Sequence, residues 1–287
     1  MTAVVRTLFV TAIVASSLFA QKYPVEQSET IRRTLEFAAS GTRTIELDNV
    51  NGPVHVSGYD GRAVEMVANK TIHAESQDRV QAAQQDVKLD ITDKSEIIRI
   101  YVDGPFRCSC PDGNDGFRST GWRNSGYRVD FDFDLRVPRE VKLRLRTING
   151  ETKVERTVGD FEVRDVNGGI TLTDVDGSGS AHTVNGGIKV SFLQNPKSAS
   201  SFKTINGVIE VAFQPNLSAD LQMKTFRGGL FTDFPTTVLP GTATVERKDG
   251  KSVYRLNRFT RVRIGNGGPE IEFDGFNSDV RVLSRAR

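Results

Sequence analysis

Along most of this chain apolar and polar positions alternate by two, in short runs separated by glycine turns. Ile170 and Leu172, Ile188 and Val190, and Ile209 and Val211 are such pairs. Alternation by two gives a strand one inward and one outward face. The turn beside these runs is Asn-Gly, which supplies positive φ at little steric cost. The phrase recurs as LDNVNGPVHV at 47–56, LRTINGETKV at 145–154, VRDVNGGITL at 163–172, AHTVNGGIKV at 181–190, FKTINGVIEV at 202–211 and MKTFRGGLFT at 223–232. A weaker copy, RIGNGGPEIEF, occupies 263–273. The recurring residue is Asn51, Asn149, Asn167, Asn185, Asn206 and Asn266, with Arg227 in its place once. A second glycine turn falls half a repeat later, at Gly159-Asp160 and Gly177-Ser178-Gly179, so one unit reads strand, turn, strand, turn.

Two folds use that unit. Asn-Gly between alternating strands is a hairpin signal, which would give an antiparallel meander. In a solenoid each unit is one coil and equivalent strands stack in parallel. A solenoid needs the same side chain at the same phase of every coil, and the constant Thr/Asp-Val/Ile-Asn-Gly phase favours it. The expectation is an all-β, right-handed β-helix or β-roll, with Asn149, Asn167, Asn185 and Asn206 bonded up one corner as an Asn ladder. Seven coils would span about 34 Å.

The remaining elements lie in an insertion at 63–137. It reads as a strand over 63–72, a helix over 74–87, strands over 87–92 and 97–102, and a strand over 127–137. The helix is suited to covering an end of the coils, since terminal repeats need protection. A long loop, DGPFRCSCPDGNDGFRSTGWRNSG, fills 103–126, and LQNPKSASS at 193–201 reads as a linker. Residues 21–40 read as an N-terminal linker and 41–283 as the β domain.

The first twenty residues differ in kind. Arg6 is their only charge, Leu8 to Ala15 is an apolar run, and Ser16-Ser17-Leu18-Phe19-Ala20 follows, with small Ala20 before Gln21. This is the layout of a signal peptide cut after Ala20, with a retained anchor as the alternative. No later apolar stretch is long enough to span a membrane, so the mature chain is expected to be periplasmic, cell-surface or extracellular. Lys plus Arg is 38 and Asp plus Glu is 36, a balance that argues against nucleic-acid binding. Cys108 and Cys110 are the two cysteines; a local disulfide or two idle thiols fits them better than half a metal site.

Few residues suggest chemistry. Asp130, Asp132 and Asp134 share one strand face and form a row of oxygens without the usual calcium loop. Asp160, Asp165, Asp174 and Asp176 sit at turns that favour Asp anyway, although an acidic pair on a coil face can cut polysaccharide. His182 stands alone. No nucleophile elbow, phosphate loop or zinc helix occurs, so no catalytic residue, cofactor or metal is assigned. Trp122, Arg118, Arg123 and Tyr127, in and beside the long loop, are the candidate partner-binding residues.

On the repeated TINGETKV, VNGGITL and TINGVIEV phrases, on VNGPVHVSGYDGRAVEMVANK, and on FDFDLRVPREVKLRLRTING, the chain resembles the bacterial putative-adhesin family of exported or membrane-tethered domains. The resemblance covers residues 40 to 275 and implies the wound β architecture rather than an activity; Arg227 and the cysteine loop depart from it. The functional expectation is an exported, non-enzymatic scaffold that binds a surface, a glycan or an envelope protein. A β-helix polysaccharide lyase or hydrolase and a polymer-forming envelope protein are the alternatives.

Overall fold

A computed structural model of the chain describes residues 23–38, 41–109, 115–117, 125–240, 243–248, 251–256 and 259–285. The signal-like segment, Cys110, Arg118, Trp122 and Arg123 lie outside them. Among the described residues the fold is all-β apart from the helix Gln77–Asp86, and the strands form two large sheets without closing into a barrel.

The repeat phrases set the arrangement. Each copy places its first strand in one sheet, turns at the Asn, and places its second strand in the other. The sheet of second strands, here sheet 1, holds ten strands, and the sheet of first strands, sheet 2, holds eleven. Within both sheets equivalent strands pair in parallel and in phase: Ile170 lies beside Ile188, and Ile188 beside Ile209. On sheet 2, Ala181 lies beside Phe202, and Phe202 beside Phe273. One first strand with its second strand is one layer.

The layers do not follow one another in chain order. From one end they are 97–103 with 127–138, then 44–48 with 54–59, 142–146 with 152–155, 161–164 with 170–175, 179–185 with 188–192, 200–206 with 209–213, 270–277 with 280–284, and last 219–224 with 230–232. The chain therefore reaches an outer layer and turns back at both ends. The C-terminal layer slots between 200–213 and 219–232, pairing with both.

That placement corrects the last repeat. The corner residue of the C-terminal layer is Asn277, in FDGFNSDVRV, not Asn266. Asn266 sits in the turn between the antiparallel strand Thr260–Ile264 and Glu270–Asn277, where Gly265, Gly267 and Gly268 all take positive φ. Residues 25–35, expected as linker, form a strand paired antiparallel with Val64–Ala74. Its side chains are mostly exposed, so the tie is chiefly the backbone ladder, joined by Thr30 donating to Asn69, by Glu29 near Lys70 and by Leu35 in the core. The insertion extends both sheets: 64–74 and 127–138 join sheet 1, and 88–92 and 97–103 join sheet 2. The helix starts at Ser76, whose hydroxyl accepts from the Arg79 amide, and buries Val80 and Ala83.

The core lies between the sheets as stacks of like side chains. Phe192 stacks on Phe213 at 5.2 Å and Phe202 on Phe273 at 5.5 Å, with Phe192 and Phe202 edge to face at 6.3 Å. Ile45, Leu47, Leu143, Leu145 and Val163 continue the sheet 2 side.

Because 270–284 is the shared neighbour of two layers, a chain ended after Ile264 is expected to lose its cooperative urea transition. A chain lacking residues 23–35 is expected to keep one, with a lowered midpoint. Equilibrium unfolding followed by near-ultraviolet circular dichroism distinguishes the two.

Candidate binding surface

The Asn corner is a continuous ladder. The Nδ2 of Asn149 donates to Asn51 Oδ1 (2.8 Å), Asn167 to Asn149 (3.0 Å), Asn185 to Asn167 (2.9 Å), Asn206 to Asn185 (2.9 Å) and Asn277 to Asn206 (2.9 Å). Asn51 ends the row by donating to Val129 O (3.1 Å). Every amide points the same way, so the dipoles reinforce one another. Arg227 occupies the next place, beside Asn277, at the outermost layer. The glycines that follow Asn51, Asn149, Asn167, Asn185 and Asn206 are fixed by close neighbour approach, and Gly52, Gly150 and Gly207 also by positive φ. A Cβ on Gly186 would stand 2.0 Å from Gly168 O, and one on Gly207 2.2 Å from Gly186 O.

An apolar ridge flanks the ladder, made by the residue before each corner position. It runs Val166, Val184, Ile205, Phe276 and Phe226 and becomes larger and barer toward the last layers, where Phe226 is 62 % exposed. Phe226 and Phe276 stack at 4.9 Å, which covers one face of each ring.

The opposite margin of sheet 2, where its strands begin, is grooved. One cleft is lined by Gly41, Thr42, Arg43, Glu140, Lys142, Gly159 and Asp160. A second, of about 390 Å³, is lined by Lys142, Asp160, Glu162, Ser178, Ser180, Ser198, Ser201, Glu270 and Glu272. Lys142 and Asp160 belong to both, so the two join. The groove crosses the six layers from 41–43 to 270–272, about 24 Å at the strand spacing. Its floor follows from the outward row of sheet 2, which reads Arg144, Glu162, Ser180, Ser201, Glu272. Two short hydroxyls lie between two long carboxylates, and the difference in length is the depression. Gly179 contributes because a Cβ there would stand 1.9 Å from Phe161 O. Ser178 and Ser200 are buried and accept from the amides of Ser198 (3.0 Å) and Gly179 (3.3 Å). On the walls Glu162 pairs with Arg164 (2.9 Å) and Glu272 with Lys203 (2.9 Å). At one end Arg43 and Lys142 stand beside Glu140 and Asp160, and at the other Glu270 and Glu272 supply carboxylates.

The residues singled out by sequence are dispersed. Tyr127 is buried rather than part of a binding loop: its hydroxyl donates to Asp86 at 2.7 Å, and burial first, then that carboxylate, pushes its pKa well up. Its place facing the helix is what draws it in. Cys108 lies in the short strand Arg107–Ser109, and Arg107 ties the loop base to Asp48 at 2.9 Å. Asp130 pairs with Arg128 (2.8 Å) and His73 (3.4 Å), and Asp134 with His55 (3.7 Å). Asp132 between them is shifted up by burial and then by Asp130.

Of the turn acids, Asp160 lines the groove, Asp174 pairs with Arg285 at 2.6 Å, Asp176 bridges Val158 through its backbone, and Asp165 lies inside the Asn corner. His182 is on the outer face of sheet 2, its Nε2 3.4 Å from Ser201 Oγ. Burial, then Lys203 and Arg164, lowers its pKa. Among the described residues no group of three or more His, Cys, Asp or Glu side chains is set to hold a metal ion.

No protein-family model matches the chain and no curated protein matches it. Solved structures do. A putative cell adhesion protein from Clostridium sporogenes aligns at 9 % identity and TM-score 0.43, over 90 % of this chain and 100 % of that one. A putative adhesin from Bacteroides fragilis aligns at 10 % identity and TM-score 0.34, over 90 % and 97 %. The chain is similar to bacterial putative adhesins. A third, from Parabacteroides merdae, aligns at 9 % identity and TM-score 0.25, over 90 % and 95 %.

The ladder is tested at its middle and end. Asn185→Ala removes two of its hydrogen bonds and is expected to cost about 1–2 kcal/mol in urea denaturation, and Asn277→Ala, which removes one, about half as much.

Proposed function

We propose that the protein is an exported, non-enzymatic β-solenoid, a right-handed single-stranded β-helix that acts as an adhesin-like scaffold. The groove at the start of sheet 2 would be its binding site, for an extended hydroxyl-rich polymer, in the first place a surface polysaccharide. In-phase parallel pairing through every layer supports the solenoid reading. The signal-like first twenty residues support export. The observation that carries the binding reading is the continuity of the groove over six layers, since a compact ligand needs one pocket whereas an extended chain needs a track.

The lining suits sugar hydroxyls. Serines both donate and accept, carboxylates accept, and Arg43 and Lys142 donate. Each layer adds another set about 4.8 Å further on, so weak contacts accumulate along a polymer.

Isothermal titration of the purified chain against a panel of bacterial surface polysaccharides is expected to give at least one binder. Ser180→Arg with Ser201→Arg fills the floor and is expected to weaken that binding about tenfold, a loss of about 1.4 kcal/mol, with unchanged circular dichroism. Lys189→Ala, on the outer face of sheet 1, is expected to leave it alone. Binding that ignores the double variant would remove the groove from the site, and a panel without any binder would remove the polysaccharide. Protein recovered outside the cytoplasm is expected to begin near Gln21.

A further inference from the structure

Beneath the Asn ladder runs an inner row, two positions before each corner residue. In stack order it reads Asn49, Thr147, Asp165, Thr183, Thr204, Gly275 and Thr225. Three of its threonines do one job. Thr183 Oγ1 donates to Gly168 O at 2.9 Å, Thr204 to Gly186 O at 2.9 Å, and Thr225 to Ser278 O at 2.7 Å. Each acceptor is the carbonyl just after the corner residue of the preceding layer. Asn49 fills its place with an amide that donates to Phe131 O (2.9 Å) and Gly52 O (3.0 Å). The Thr147 hydroxyl makes no hydrogen bond.

Asp165 interrupts the row. It is 4 % exposed and neither carboxyl oxygen has a hydrogen-bond partner. By the register its acceptor is Gly150 O. Gly150 O and Asp165 Oδ2 lie 2.0 and 2.7 Å from the point where a Cβ on Gly168 would stand, so the two oxygens crowd the same small space. A carboxylate presents only lone pairs to a carbonyl, whereas a carboxylic acid presents an O–H. Everything facing Asp165 is uncharged: Thr147 and Thr183 on either side in the row, Thr152 across the turn, and Gly150 and Gly168 above and below. The ionisable side chains on the same three strands, Lys142, Arg144, Arg146, Glu162, Arg164 and His182, stand on the outer face.

We propose that Asp165 serves as a neutral carboxylic acid whose proton is donated to Gly150 O, completing the inner row as a threonine would, and that losing this proton loosens the corner under the Asn ladder. The protein thus carries a proton-operated latch in its middle layers. Burial pushes the acid from 3.8 up to about 7, against the pull of the nearby Val166 and Asn167 amides and the Thr152 hydroxyl, which favour the ion without reaching hydrogen-bond geometry. The folded chain holds the proton up to about pH 7, and the unfolded chain releases it near 3.8. Between those values unfolding sheds a proton, so stability falls as the pH rises and levels off above the folded value.

The test compares urea unfolding of the full chain with that of Asp165→Thr and Asp165→Asn between about pH 4.5 and 8.5. The ratio of the wild-type unfolding constant to that of Asp165→Thr is expected to rise by up to about tenfold per pH unit between about pH 5 and 7, then flatten. A ratio independent of pH would overturn the latch. The carboxyl carbon of Asp165, titrated by nuclear magnetic resonance in the unaltered protein, decides the matter even where a variant fails to fold. A midpoint near 7 supports the proposal, and one near the ordinary value of about 4 sinks it.

Discussion

Parallel strands paired in phase place like side chains about 4.8 Å apart, and every other feature of this molecule answers to that spacing. Inside, it is met by aromatic and aliphatic stacks such as Phe192 on Phe213 and Ile188 on Ile209. At the corner it is met by amides, because Asn is both donor and acceptor and can bond to its own kind in each neighbouring layer. Outside, identical charges in phase would repel. Sheet 2 answers by alternating Glu46, Arg144 and Glu162 along one row. The basic row beside it, Arg146, Arg164, His182 and Lys203, is served diagonally by Glu162 and Glu272.

Much of this was legible in the sequence because the repeat writes its own constraint. Asn-Gly at constant phase told of stacked corners, and the alternation beside it told which residues face inward. The ladder runs through the four asparagines it named, Asn149, Asn167, Asn185 and Asn206. What the repeat could not carry was the order of the layers. Asn266 has the better local match, with glycines after it, yet Asn277 occupies the corner because its flanking apolar residues, Ile271, Phe273, Val280 and Val282, fit the rows of the neighbouring layers. Positive φ at Gly265, Gly267 and Gly268 marks a tight connection there, which a motif search reads the same way as a corner.

The groove and the buried acid were hidden for different reasons. Ser180 and Ser201 carry no motif; the groove is a difference in side-chain length between adjacent strands, visible once the strands are aligned. Asp165 looked like an ordinary turn aspartate. Its distinction lies in the company of Thr147, Thr183 and Thr204, which makes it the one carboxyl in a row of uncharged side chains. Tyr127 shows the reverse case: a residue next to an eye-catching loop whose hydroxyl is committed to Asp86.

The C-terminal layer pairs on one side with strands from residues 200–213 and on the other with strands from 219–232. A chain emerging from its amino end exposes the 219–232 segment well before the piece that must sit beneath it has been made. That segment cannot settle directly on its predecessor without taking the seat reserved for the final strands. Closure of these layers therefore waits for residues 270–284.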